Sequence, residues 1–567
     1  MMASLFMVVI CGFFVFVFFM VMISGKSVML EWEIFSLGSA YFTFPLLLDM
    51  VSVSFSSIVW LISTMVVVYS SAYMSEDLYL SRFIWMVVLF VVCMSFFILV
   101  PSLLGVMIGW DGLGITSFIL VIYYQNKKSA SSGMITVLTN RIGDCLLIMS
   151  IALLGVQGHW GMWSVFDSEI TWIVVLLVFL GSITKSAQFP FCSWLPAAMA
   201  APTPVSSLVH SSTLVTAGVF LMFRFSGLLE GNEGCQSLVI FLSCCTLVLA
   251  GVGAIFETDL KKVIALSTLS QLGMMMLSLG ILMPWLALFH LFSHALFKAL
   301  LFLCAGVMIH NNMGSQDARM FGNVWKMMPM TVVLFNISNL ALCGVPFFNG
   351  FFSKDLILEG YITGSIGYFT LFMVFLGTMS TVFYSLRLSF MILTVENNGG
   401  SFHSMNDESL SMWGPMLMMV GGAVVGSQFL QSMIVEFDDE VFLDSSFVIL
   451  ALLFGATMSF FTIYVLSLYN KMKSSGYSMF NFFLSYYSNM WFLSHLSSYP
   501  WVDGMLMSSQ FFHKSLDQGW VEIIGGTGSF ILIESFSSML YKWQNQLFTF
   551  IFMYGVFILI LFWLFLF

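Results

Sequence analysis

The feature that most constrains the fold is the recurrence of apolar runs, each about 20 residues long and separated by short polar links. A bilayer core about 30 Å thick is crossed by about 20 apolar residues in a helix. A helix also satisfies its own backbone hydrogen bonds in lipid, which a loop cannot do. Along this chain the spacing predicts about fifteen spans. They lie near 4–23, 46–70, 82–100, 102–124, 132–156, 171–196, 204–224, 236–257, 262–282, 284–310, 328–350, 368–394, 411–433, 446–468 and 548–567. Composition agrees, with 60% of residues hydrophobic and 8% charged, against roughly 25% charged in an ordinary soluble domain. A solvated surface cannot be built from so little charge, so the expected fold class is an all-α polytopic membrane protein. The net charge of −10 is spread thinly, without a basic block, which argues against nucleic-acid binding.

The nine cysteines are scattered without a CxxC pair. They read as small apolar packing residues, not as a disulfide framework or an iron–sulfur site. The first run, Leu5 to Ile23, has no basic flank or small-residue cleavage site and is read as a retained span. A bias to 62 Phe and 44 Met is consistent with an organelle-encoded gene. Short links such as Gln125–Ser132 leave no room for a folded extramembrane domain, and no GxxxxGK[ST] or GxGxxG motif is present.

One span cannot be a simple helix. Lys185 ends an apolar run and is followed by Pro190, Pro196, Pro202 and Pro204 before His210. Proline removes a backbone donor and clashes with the preceding turn, so the helix must break. Broken backbone at membrane depth is tolerated only inside protein or beside a wet cavity. A second interrupted stretch, Leu342–Asp355, carries Gly344, Pro346 and Gly350. Paired interruptions in two halves of a chain are the mark of a transporter-like repeat with sites near the midplane.

Charges within the spans are the candidate functional residues, because each costs about 2.5–3.5 kcal/mol at a helix centre on insertion scales. Asp111 lies mid-span, where a polar residue could also simply tie helices together. Asp144 has Arg141 three residues before it, so local ion pairing is an equal reading. Lys185 has no charged neighbour in its own segment, which leaves Asp111 or Asp144 as distant partners. Burial disfavours a charged amine and a nearby carboxylate favours it, so such a pair exchanges a proton when its separation changes. His210, beside the break, exchanges protons near neutral pH. Asp259, Lys261 and Lys262 open the next span, where Lys262 can snorkel to the interface. His290, His294 and Lys298 share a helix face; no third ligand lies nearby in sequence for zinc, and a water-assisted proton path fits better. Lys354 and Asp355 end the series, either as path residues or as a rim ion pair.

These residues sit in stretches that resemble a known family. Gly109-Trp-Asp-Gly-Leu-Gly114, Asn140-Arg-Ile-Gly-Asp144, Lys185-Ser-Ala-Gln-Phe-Pro190, Ala201-Pro-Thr-Pro204, Ser267-Thr-Leu-Ser-Gln-Leu-Gly273, His290-Leu-Phe-Ser-His-Ala-Leu-Phe-Lys298 and Phe351-Phe-Ser-Lys-Asp355 are similar to NADH dehydrogenase subunit 5, the antiporter-like membrane subunit of respiratory complex I. The stretch around Asp517-Gln-Gly-Trp520 resembles arthropod-type versions. The resemblance implies two inverted repeats, each with a broken helix, then a lateral helix and a final anchoring span. It implies Asp111 as the partner of Lys185, Lys261 and the His290/His294 region as the central path, and Lys354 as the terminal site. Many relatives carry Glu at position 111, so the shorter Asp is expected to need a water to reach Lys185. Many also have two spans before the position of Glu31, where this chain has room for one.

The expected organisation is N-terminal spans over 1–78, a first repeat over 79–230, a second over 231–396, additional spans over 397–500, a lateral amphipathic segment over 501–546 and an anchor over 547–567. The expected function is proton translocation along a buried Asp/Lys/His chain within NADH:ubiquinone oxidoreductase of the mitochondrial inner membrane. The alternative is a stand-alone or Mrp-type cation/proton antiporter. No cofactor or metal is expected in the chain itself; FMN, iron–sulfur clusters and ubiquinone belong to partner subunits. The expected partners are the other membrane subunits, above all the neighbouring antiporter-like one, together with lipids and protons.

Overall fold

The computed structural model describes residues 2–37, 40–158, 160–161, 171–364, 367–393, 407, 409–434, 486–488 and 490–566. The chain divides into two units, Met1–Leu493 and Ser494–Phe567. Among the described residues, 12 helices are long and apolar enough to cross a membrane, or up to 13 if one bent pair counts as a span. The polytopic helical class is therefore as expected. The expected span near 446–468 lies outside the described residues.

The first helix, α1 (Met2–Ser24), is followed by an unexpected element. Strand β1 (Val28–Leu37) pairs antiparallel with β2 (Ala40–Leu48), with Trp32 opposite Phe44. Leu30-Glu31-Trp32-Glu33-Ile34 alternates apolar and acidic residues, and a strand sends alternate side chains to opposite faces. The span expected from residue 46 accordingly starts later, at α2 (Met50–Tyr73). Asp49 sets that boundary: its carboxylate accepts from the Ser52 N–H at 2.7 Å, while the Ser52 hydroxyl accepts from the Asp49 N–H at 3.0 Å. Such a capping box satisfies backbone donors that a helix start leaves unpaired.

The same carboxylate receives both terminal nitrogens of Arg224, at 2.6 and 3.1 Å. Burial pushes the Asp49 carboxyl up, but Arg224 and Ser52 outweigh it and hold it below its ordinary value. A group so depressed stabilises the fold fully above its unfolded pKa and loses that contribution as pH falls through the folded value. Asp49→Asn is therefore expected to lower stability at neutral pH by about 1–3 kcal/mol, the range for a hydrogen bond to a charged group. Thermal unfolding of the wild type and variant should converge as the pH is lowered into the acid range.

Helices α3 (Leu80–Leu99), α4 (Leu103–Val121) and α5 (Lys127–Gln157) follow. The broken span begins with α6 (Thr171–Lys185), passes through short turns over Phe191–Ala200, and resumes as α7 (Thr203–Arg224), whose Val209–Thr213 section widens to a π-helix. The carbonyl of Thr184, freed at the break, accepts from the Trp194 indole at 2.9 Å. The second half runs α8 (Glu233–Phe256), α9 (Leu260–Gly280), α10 (Pro284–Asn311) and α11 (Pro329–Cys343). It breaks at Gly344, in the left-handed region at φ 84°, and continues through a π-turn at Phe351–Asp355 into α12 (Leu356–Thr363) and then α13 (Tyr368–Leu393). Arg387 of α13 donates to the carbonyls of Ala254, Ile255 and Glu257, covering the C-terminal acceptors of α8. Helices α14 (Leu410–Val424) and α15 (Gly426–Ile434) meet at a 44° bend. Asn349 is tied there, donating to Gly422 O at 2.6 Å and accepting from Ser427 N at 3.0 Å.

The second unit is formed by most of α16 (Leu493–Phe512), a π-helical stretch over His513–Val521, and α17 (Gly526–Leu566). Candidate membrane spans Val502–Gln546 and Phe548–Leu566 lie on either side of the expected division near residue 546, within one helical run. Helix α17 runs through it for 41 residues, about 60 Å at 1.5 Å per residue. Gly525, just before α17, has a ψ of −104° that is not helical.

Candidate functional site

The first cluster forms where α4, α5 and the end of α6 meet. Lys185 is 0% exposed. Its ammonium donates to the Trp110 carbonyl at 2.5 Å and lies 3.8 Å from the centroid of the Trp110 ring. The Trp110 indole N–H in turn donates to Asp144 Oδ1 at 2.8 Å. Arg141 bridges the two carboxylates, 3.5 Å from Asp111 and 3.2 Å from Asp144. Asp111, Asp144 and Lys185 lie in one cluster, and Asp111 and Lys185 make no direct ion pair, in keeping with an aspartate too short to reach the amine without a water. Arg141 pairs with Asp111 instead, and Trp110 stands between the amine and Asp144. The Asp111 Oδ1 oxygen is buried without a hydrogen-bond partner among the described residues.

Lys261 links the first broken span to the second half. It is 5% exposed, and its ammonium donates to the Ala201 carbonyl at 3.1 Å. Lys262 instead pairs with Asp259 at 3.0 Å at the rim. A second link joins the Thr246 hydroxyl of α8 to Gln188 Oε1 at 2.6 Å. His210 lies on the π-helical section, 6.2 Å from the Trp194 ring. Its two ring nitrogens are buried and lack hydrogen-bond partners among the described residues.

The second cluster lies between α9, α10, the second break and α13. His290 uses both ring nitrogens, toward Ser353 Oγ at 2.9 Å and Gln271 Oε1 at 3.1 Å. His294 is 6.2 Å away ring to ring, and both of its nitrogens are buried without partners among the described residues. Lys298 donates to Ser267 Oγ at 2.6 Å and Lys354 to Thr381 Oγ1 at 2.7 Å. Lys354 is buried and does not form the rim ion pair with Asp355 that the sequence left open; Asp355 is half-buried beside the break. Among the described residues no three His, Cys, Asp or Glu side chains are grouped to hold a metal ion.

Several groups that hold this network were not singled out from the sequence: Trp110, Gln188, Gln271, Ser267, Ser353 and Thr381. Each is an uncharged residue in an apolar span, and only its contact with a charged or imidazole group distinguishes it from ordinary packing. All but Thr381 lie in the stretches that carry the family resemblance, and Trp110 also neighbours a mid-span aspartate.

Two broken helices, an interior lined by lysines and histidines, and short connections define an antiporter-like polytopic membrane protein. The comparisons narrow this. Residues 101–383 match the family described as NADH:quinone oxidoreductase/Mrp antiporter, TM; residues 384–567 match NADH dehydrogenase subunit 5 C-terminus; residues 32–84 match NADH-Ubiquinone oxidoreductase (complex I), chain 5 N-terminus. NADH-ubiquinone oxidoreductase chain 5 of Aedes aegypti is 44% identical over 91% of this chain and 90% of its own. The chain 5 of Locusta migratoria is 43% identical over 93% of each. The chain belongs to the NADH-ubiquinone oxidoreductase chain 5 family. A solved Mrp complex from Dietzia sp. DQ12-45-1b shares the fold, with a TM-score of 0.75 at 22% identity over 95% of this chain, which spans 60% of that one.

Proposed function

We propose that this chain is a proton-translocating membrane subunit of NADH:ubiquinone oxidoreductase in the mitochondrial inner membrane. One observation carries the reading. Lys185, Lys261, Lys298 and Lys354 are all buried, and each is held by a neutral oxygen (a carbonyl of Trp110 or Ala201, a hydroxyl of Ser267 or Thr381) with no ion pair to a carboxylate among the described residues. A permanently charged buried amine needs a counter-ion. A neutral acceptor suits an amine that gains and loses a proton.

In this reading Lys185 is the exchange centre of the first half, over about residues 79–230, and the Arg141-bridged pair Asp111 and Asp144 sets the field it feels. Movement of Arg141 toward or away from that pair changes how strongly the carboxylates favour a charged Lys185. His210 and Lys261 pass protons onward, and His290, His294 and Lys298 continue the path through the second half to Lys354 and Asp355. Water supplies the partners that His210 and His294 lack among the described residues, as buried polar groups require. Moving one charge against 100 mV costs about 2.3 kcal/mol. That energy arrives from redox chemistry at FMN, iron–sulfur clusters and ubiquinone in partner subunits, transmitted through the neighbouring antiporter-like subunit.

A stand-alone or Mrp-type cation/proton antiporter is the second reading, because the Dietzia Mrp complex shares the fold. Purification of the native assembly separates the two. The expected result is quinone-linked NADH oxidation coupled to proton release; cation-driven proton exchange by an assembly that does not oxidise NADH would overturn the proposal.

A further inference from the structure

A polar ladder outside these clusters runs along the ends of three packed helices. Helix α2 ends in Tyr69 and Tyr73, α10 ends at His310, and α7 begins at Thr203. The Tyr69 and Tyr73 rings stack with centroids 5.7 Å apart, and His310 lies 5.2 Å from Tyr73. Exposure falls inward along the series, from exposed His310 to half-buried Tyr73 to Tyr69 at 0%. The Tyr69 hydroxyl donates to the Leu303 carbonyl at 3.2 Å. Three residues further along α10, Gly306 leaves room for two hydroxyls to converge. A Cβ on Gly306 would stand 2.5 Å from the Tyr69 hydroxyl and 2.9 Å from Thr203 Oγ1. Thr203 is 1% exposed, and its hydroxyl has no hydrogen-bond partner among the described residues.

The inner end of this ladder is close along the chain to the network already described. Ala201, two residues before Thr203, accepts from Lys261, and His210 lies seven residues further along α7. Packing alone does not account for the ladder. Phenylalanine would fill the ring positions equally well, and a buried hydroxyl without a partner is costly. Hydroxyls that each donate and accept can pass a proton by rotation, and an imidazole takes a proton at one nitrogen while releasing it from the other.

We propose that His310, Tyr73, Tyr69 and Thr203 form a proton-access branch that connects the surface at the ends of α2 and α10 to Lys261 and His210. It rests on the proton-translocation reading above. Bridging water carries the proton between successive side chains of the ladder, and every covalent heavy-atom bond is left unchanged, so no co-reactant is needed.

The test uses the assembled complex in sealed vesicles, reading protons pumped per NADH, the amount of assembled complex and NADH oxidation by an artificial acceptor. The double variant Tyr69→Phe/Tyr73→Phe is expected to slow pumping roughly tenfold or more, since positioned proton-transfer groups contribute at least that much. Thr203→Val, which keeps the shape and loses the hydroxyl, should do the same, while Thr203→Ser should pump normally. Where the tyrosine variant does not assemble, the Thr203 pair decides. Normal pumping by Thr203→Val, or equal losses in Thr203→Val and Thr203→Ser, overturns the branch. Lys185→Met, measured in parallel, separates the failures: lost pumping there with normal pumping in Thr203→Val removes the branch alone, whereas normal pumping in both removes the proton-translocation reading.

Discussion

Lys185→Met is expected to reduce proton pumping by about 100-fold, within the range for losing a positioned proton-transfer group, while the complex still assembles. Methionine is unbranched and adaptable, so it fills the space of the lysine stem without the amine. Lys185 makes no ion pair among the described residues, so its replacement strands no buried carboxylate; Asp111 and Asp144 keep Arg141. The loss is one donor to the Trp110 carbonyl, about 1–3 kcal/mol if that oxygen is left unpaired, together with the ammonium's contact over the Trp110 ring. Replacing a buried charge by an apolar side chain is often neutral or stabilising. Quantifying assembled complex and pumping on the same vesicles checks both parts. Retained pumping would remove Lys185 from the path.

Gly350→Val has the second large effect, and it falls on folding. A Cβ on Gly350 would overlap the carbonyl oxygen of Ala341 and come within 2.9 Å of its carbonyl carbon. Both are backbone atoms at the second break and cannot rotate away. Overpacking a core typically costs about 1–3 kcal/mol, and more where the neighbour cannot yield. Shifting Gly350 also moves Asn349, which holds the α14/α15 bend through Gly422 and Ser427. The expected outcome is a subunit that fails to accumulate in the complex, seen as loss of assembled complex. The half-buried Gly414, with nothing within 4 Å of its Cβ position, should accept alanine with normal assembly. Equal assembly of Gly350→Val and wild type would show that this close approach is not required.

Much of the fold was legible because lipid imposes a simple rule on length and apolarity. Helices α3 to α10 begin and end close to the expected spans, and both breaks fall where proline and glycine interrupt apolar runs. The β-hairpin was missed because its alternation of apolar and acidic residues lies between two long apolar runs, which dominate a search for spans. At the C-terminal end the change from amphipathic to apolar sequence near residue 546 falls inside the helical run of α17, because helix hydrogen bonding is indifferent to where that change occurs.

For the site, the chain order alone identified the titratable residues, since a charge in a long apolar run is costly wherever that helix packs. It also placed Arg141 on the face of Asp144, because a three-residue spacing on a helix is a local matter. Partners across helices were decided only by the tertiary structure. The packing of α4, α5 and α6 puts Arg141 between Asp111 and Asp144 and turns Lys185 to the Trp110 carbonyl. In the same way, Lys261, Lys298 and Lys354 meet neutral oxygens contributed by distant segments. Hydrogen-bond reach is about 3 Å, and separations on that scale depend on how helices pack, which no spacing along one helix encodes.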